Sequence, residues 1–280
     1  MPYGRIVEVF VAEPGTAGRN ISSVRPDGRP GISINFSIDH ARKKQPGRCV
    51  LRLYNVSDET AEAFESTTSI VRVEIGYEDE GTFVAFTGNP VPGGVFFQKQ
   101  GADRVLHVEA QDGGRRYRIG RVDVSFSEQI SAQTVFDEII RQTSYPRGEV
   151  DLATALPFVR GYVFSGMARD ALDEFVGHIN REWFVRDGSL YVIDARNAVT
   201  ETAPLFSSAN GNLIGSPNAI KIDKVRGIEV HALPVAGMKA GKPFKVESRD
   251  YNGFYMAQEV SYRGSSYDGR FEVIVRGVPR

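Results

Sequence analysis

Only one cysteine, Cys49, occurs in 280 residues, so neither an intrachain disulfide nor a thiolate metal cluster can form. Its setting in the strand-like run CVLRLY reads as a small buried filler rather than a nucleophile. Histidine is nearly as scarce. His107 lies within a strand-like run, His178 on a helix flank, and His40 and His231 at strand ends, with no HExxH or other paired-ligand spacing. Long apolar runs are missing: no stretch approaches the roughly 20 residues of a membrane span, and MPYGRIVEVF lacks the apolar run of a signal peptide. Made and kept, or assembled, in the cytosol, such a chain carries its sequons at Asn20, Asn35 and Asn55 as chance matches. Net charge is almost absent, since 34 Lys plus Arg against 35 Asp plus Glu leave −1. No global field then attracts nucleic acid or an anionic membrane, and such a partner would need a local patch. A phosphate loop is excluded at GMKAGKPF, which has three rather than four residues between its glycines and Pro243 where a magnesium-binding hydroxyl belongs.

What is present is mostly strand. In ISINFSI, Ile32, Ile34, Phe36 and Ile38 alternate with Ser33, Asn35 and Ser37, which predicts a strand with one wet face. Further strands are expected in CVLRLY, VRVEIGY, TFVAFTG, GVFFQK and RVLHVEA, with a short helix over DETAEAFE capped by Ser57. Near the C-terminus, Phe254, Met256, Val260 and Tyr262 form one face of a strand, with Gln258 as a polar intruder. Phe271, Val273 and Val275 answer them across a turn that ends in Asp-Gly, the pattern of a half-buried antiparallel pair. A lone ribbon of this kind is marginal in water, so the pair must complete a larger sheet or barrel.

The texture changes near residue 130. Val135, Phe136, Ile139 and Ile140 make a helical stripe with Ser131 as its cap, and Ala168, Ala171, Leu172, Phe175, Val176 and Ile179 make a second. EWFVRDGSLYVID then reads as a tight Asp187-Gly188 hairpin. The expected organisation is a β unit over 1–127, a small α+β unit over 128–196 and a second β unit over 197–280.

Two charged clusters are candidate sites. Arg42, Lys43 and Lys44 could meet phosphates or an acidic partner, or form a solvated hairpin tip, and no aromatics interleave with them to stack bases. Asp170, Asp173 and Glu174 lie opposite the apolar stripe of the second helix, where a solvated face is the simpler account. No catalytic, cofactor or metal residue is assigned.

The order of motifs is informative. LRLYNVSDETAEAF, VRVEIGY, FTGNP and LHVEAQDGGRRY in succession resemble the N-terminal part of bacteriophage baseplate hub proteins. The helix over 166–182 feeding EWFVRDGSLYVID resembles that family's middle domain, and AGKPFKVES, NGFYMAQEVSYRG and RFEVIVRG resemble its terminal barrel. The resemblance implies a mainly β chain with two tube-protein-like β-barrels and an inserted α+β unit, in a minimal form without a fused lysozyme or spike. It further implies a homotrimeric ring of six barrels in the virion, assembled in the host cytoplasm. Such a ring matches a sixfold tail tube or distal tail protein above and a threefold spike or fibre protein below. Its lumen would serve a tape-measure protein and passing DNA, with no membrane contact, no cofactor and no catalytic residue, and Arg42, Lys43 and Lys44 are its candidate assembly interface. Two other classes stay open, a tail-associated cell-wall hydrolase and an oligosaccharide- or nucleic-acid-binding barrel protein.

Overall fold

Alternating segments become strands and 3.6-periodic segments become helices in the computed structural model, which describes residues 4–280. The first β half comprises β1 (Arg5–Ala12), β2 (Arg19–Ser22), β3 (Ile34–Ala41), β4 (Arg48–Tyr54), helix α1 (Asp58–Glu65), β5 (Ile70–Tyr77), β6 (Gly81–Gln100) and β7 (Asp103–Gln111). Helix α2 (Gly114–Ile119) leads into β8 (Arg121–Phe126), α3 (Ala132–Thr143), β9 (Arg147–Val150), β10 (Tyr162–Met167), α4 (Ala168–Ile179), β11 (Glu182–Arg186) and β12 (Ser189–Ile193). The second β half holds β13 (Leu205–Ser207), β14 (Asn218–Ile222), β15 (Val225–Ala232), β16 (Pro243–Glu247), β17 (Asn252–Ser265) and β18 (Phe271–Pro279).

The helix ends follow their sequence signals. Ser57 accepts from the Thr60 N–H at 3.2 Å and Ser131 from the Thr134 N–H at 3.1 Å, each satisfying a donor that the first helical turn leaves unpaired. The six apolar residues of the α4 stripe are all buried. Asp187 and Gly188 take φ of 53° and 73°, the left-handed pair that a two-residue hairpin turn requires.

Both β halves belong to one 13-stranded sheet, because β3 pairs with β4 on one edge and with β17 on the other. Each half also wraps back on itself. In the first, the Gly31 and Ile32 N–H groups, just upstream of β3, donate to the Ser23 and Ser22 carbonyls beside β2 at 2.8 and 3.1 Å. In the second, the Asn212 side chain bonds the Ser207 N–H and the Leu205 carbonyl, both at 2.8 Å. The backbone around Asn212 meanwhile pairs with the end of β15 through Leu213 and Ala232. The two barrels therefore share a wall at β3–β17, and one core cluster, from Val7 through Phe36 to Val275, runs through both.

β17 makes this sharing possible. Its first half pairs with β16 and its second with β3, and the change of partner coincides with a bulge between Ala257 and Glu259. A bulge shifts the side-chain alternation by one residue. Tyr255 and Ala257 therefore face the barrel core before it, Val260 and Tyr262 after it, and the polar Gln258 marks the shift. The expectation that Phe254 shares the inward face is corrected: it is 52% exposed.

Three other expectations change. TFVAFTG and GVFFQK join into the single 20-residue β6, with an irregularity between Pro90 and Val95. Residues 121–126, placed with the first β unit, pair instead with β10. Val122 and Val124 join a second core with Phe136, Leu172, Phe175 and Trp183, so the middle packing begins before residue 128. The polar stretch before residue 219 contains β13, parallel to β16.

Candidate functional site: the seam between the β wall and the middle unit

The tip of the β3–β4 hairpin and the β11–β12 hairpin meet where the middle unit lies against the barrels. Arg42 begins the tip and does not point into solvent, since its side chain is fully buried. Its backbone N–H donates to the carbonyl of Gln258 at the bulge, 2.8 Å away. Its guanidinium donates to the carbonyls of Asn197 and Asp194, both at 2.6 Å, and contacts the Met256 sulfur. The Glu182 carboxylate stands 3.4 Å from Nε, which makes no hydrogen bond, and the Phe184 ring lies 5.9 Å away. Burial lowers the Arg42 pKa and the two carboxylates of Glu182 and Asp194 oppose it. Arginine nevertheless stays protonated in proteins, so a charge is held inside the seam.

Lys43 and Lys44 keep 57% and 61% of their side-chain surface and also turn toward their own chain. Lys43 pairs with Glu259 of β17 at 2.6 Å and Lys44 with Asp173 of α4 at 3.0 Å. Asp173 accepts from the Trp183 indole N–H at 2.6 Å, so the solvated face expected for Asp170, Asp173 and Glu174 is corrected at Asp173. For Arg42 the expectation of a surface residue free to meet a neighbour is likewise corrected. The two carbonyls it holds lie more than 150 residues away in the chain, and no local pattern announces them.

Sequence reasoning missed the other half of the seam. Asp112, just past β7, is 1% exposed, and its carboxylate accepts from the N–H groups of Asp187 and Gly188 at 2.7 and 2.6 Å. Burial pushes this carboxyl up to about 7, with the Asp187 carboxylate adding to the rise and the two N–H donors and Lys239 opposing it. Lys239 in turn pairs with Asp187. Arg186, 5% exposed, donates to the Ala240 carbonyl at 3.3 Å and the Tyr191 hydroxyl at 2.7 Å, and also pairs with Glu201. The left-handed Asp187-Gly188 turn was the legible signal, because such a turn can aim successive N–H groups at one acceptor.

This is the chemistry of a clamp. Cys49 is fully buried and burial pushes its thiol well above the usual range, which suppresses the thiolate. His40 is buried with Nε2 2.9 Å from the Ala85 carbonyl, and burial lowers its pKa. His107 stacks on Phe96 and His178 on Phe158, while His231 sits 3.2 Å from both Glu229 and Glu272. Among the described residues no group of three or more His, Cys, Asp or Glu side chains could hold a metal ion, and no helix is long and apolar enough to cross a membrane.

Comparison with known proteins rests on shape. No family model matches the chain, and no curated protein matches it in sequence. Among solved structures, the 43 kDa tail protein of prophage MuSo2 from Shewanella oneidensis superposes with a TM-score of 0.63 at 8% identity, over 97% of this chain and 96% of that one. The tail protein from Neisseria meningitidis MC58 gives 0.64 at 10% identity, over 98% and 96%. The chain has the fold of phage tail proteins. An E. coli type VI secretion component, itself similar to the T4 tail proteins gp27 and gp5, shares this fold with a TM-score of 0.60 at 10% identity, over 89% of this chain and 74% of that one. The mainly β architecture with an inserted α+β unit is thus that of tail proteins from end to end.

Proposed function

We propose that the chain is a structural hub of a phage tail baseplate and works by assembly rather than turnover. Three copies close a ring, and each contributes two barrels, so six barrels face a sixfold tail tube or distal tail protein while the ring stays threefold toward a spike or fibre. The lumen passes DNA and accommodates a tape-measure protein, and the place of work is the virion. The observation that carries this reading is the shared β3–β17 wall, which fixes two self-wrapping barrels side by side in one chain. Two barrels held rigidly at one angle let three chains imitate six subunits, and head-to-tail contacts of one kind suffice if the rotation closes. The division of labour assigns the two β halves to the ring and the middle unit to bracing, with Arg42, Asp112 and Arg186 as its fastenings. Mass measurement of the purified full chain, followed by imaging of the ring, tests the proposal. A trimer with six similar lobes supports it, and a monomer or a six-chain ring overturns it.

A further inference from the structure

The tip of one hairpin of the second barrel reaches beyond the strand that supports it. Pairing of β15 with β18 starts at Ile228, so among the described residues Val225, Arg226 and Gly227 pair only with β14, whose outer edge carries no ladder. A free two-stranded ribbon is marginal in water. This one has an apolar face of Ile220, Ile222 and the 52%-exposed Val225, joined by a left-handed Asp223-Lys224 turn. On its other face Lys221 lies directly opposite Arg226, a like-charge pair that destabilises an isolated ribbon. Among the described residues neither these two nor Lys224 makes an ion pair, so the ribbon is net basic even after Asp223.

A complementary surface exists elsewhere on the chain. The β5–β6 turn presents the exposed Glu78 and Glu80, which make no ion pair among the described residues. Behind it lies a cleft of about 510 Å³ between the two barrels, with Phe83, Leu233 and Val235 beside Thr82, Asn210 and Asn212 in its walls. An acidic lip over a wall of mixed apolar and amide side chains is the counterpart of a basic ribbon with an apolar face. The two cannot meet within one chain. The ribbon tip and the cleft lie at opposite ends of the eight-residue β15, roughly 23 Å apart at about 3.3 Å per residue.

We propose that the β14–β15 ribbon of one copy docks in the acidic cleft of the next, as the head-to-tail contact that builds the ring. This rests on the ring reading above and names the surfaces that make it. The contact places carboxylates beside the Lys221–Arg226 pair and covers Ile222 and Val225, which removes both sources of instability in the free ribbon. It also weakens with salt, as contacts between exposed charges do.

The test uses three variants of the full chain, each checked for unchanged melting, in sedimentation equilibrium at low salt. Lys221→Glu/Lys224→Glu/Arg226→Glu is expected to fall from trimer to monomer, and Glu78→Lys/Glu80→Lys to do the same. The variant carrying all five changes is expected to regain the trimer, because the charges are exchanged across one contact. A wild-type trimer that persists in the ribbon variant overturns the docking and leaves the ring standing. Loss of the trimer without recovery in the five-change variant overturns it as well, because the two patches then do not meet. A wild-type chain that stays monomeric overturns both.

Discussion

Replacing Arg42 by alanine separates an internal clamp from a solvated loop tip. The native guanidinium, with no exposed side-chain surface, makes two hydrogen bonds to main-chain carbonyls of the 194–197 segment. Bonds from a charged donor are worth about 1.5–3 kcal/mol each. The Asp194 carbonyl keeps the Asn197 N–H as a donor, whereas the Asn197 carbonyl is left without its bond from Arg42. The Glu182 pair adds little, because that carboxylate is 49% exposed. The expected cost is about 3–5 kcal/mol, the two charge-assisted bonds and the packing of the stem less the desolvation that the buried guanidinium no longer carries. At ~2 °C per kcal/mol for a chain of this size, the melting temperature should fall by roughly 6–10 °C in differential scanning calorimetry. Arg42→Met keeps the apolar stem and should recover only the packing part of that loss. Lys44→Ala, which breaks a pair between partly exposed groups, is the internal control at about 1 kcal/mol or less. An Arg42→Ala shift no larger than that of Lys44→Ala would refute the clamp and restore the solvated tip.

Asp112 makes the seam pH-dependent: with its folded pKa raised from 3.8 to about 7, its contribution is complete below about pH 4 and is lost as the pH rises through 7. Thermal melts from pH 5 to 8 should therefore show a fall that Asp112→Asn flattens, and parallel profiles for the two proteins would contradict the assignment. Deleting Gln258 should abolish the soluble folded state by turning Val260 and Tyr262 outward, whereas Gln258→Ala, which keeps the bulge backbone and its carbonyl, should stay within about 0.5 kcal/mol in urea titration. Cys49 should resist alkylation until the chain unfolds, so labelling at neutral pH without denaturant would show that the first barrel opens.

The parts of the fold that were legible are those decided locally. Ser57 and Ser131 cap helices because their hydroxyls reach a backbone N–H three residues on, and the α4 stripe is buried because its spacing leaves it only one face. What was hidden depends on partners far away in sequence. Nothing near Arg42 distinguishes a buried guanidinium from a solvated one, since its acceptors are backbone carbonyls, and carbonyls are the same in every sequence. Residues 121–126 alternate like any other strand, and only β10 decides which core receives them. Gln258 was visible as a break in the alternation, and a polar residue at an inward position of a long strand is the signature of a bulge. Read that way, it would have moved Phe254 to the outside and suggested two partners for β17.

Whether one chain supplies two barrels to a threefold ring is decided by imaging the native particle at chain-tracing resolution. Three copies are expected around the tail axis, joined through the ribbon and the acidic cleft, with six barrels at about sixty-degree steps facing the tube. Six copies in one layer, or a single copy on the axis, would contradict it.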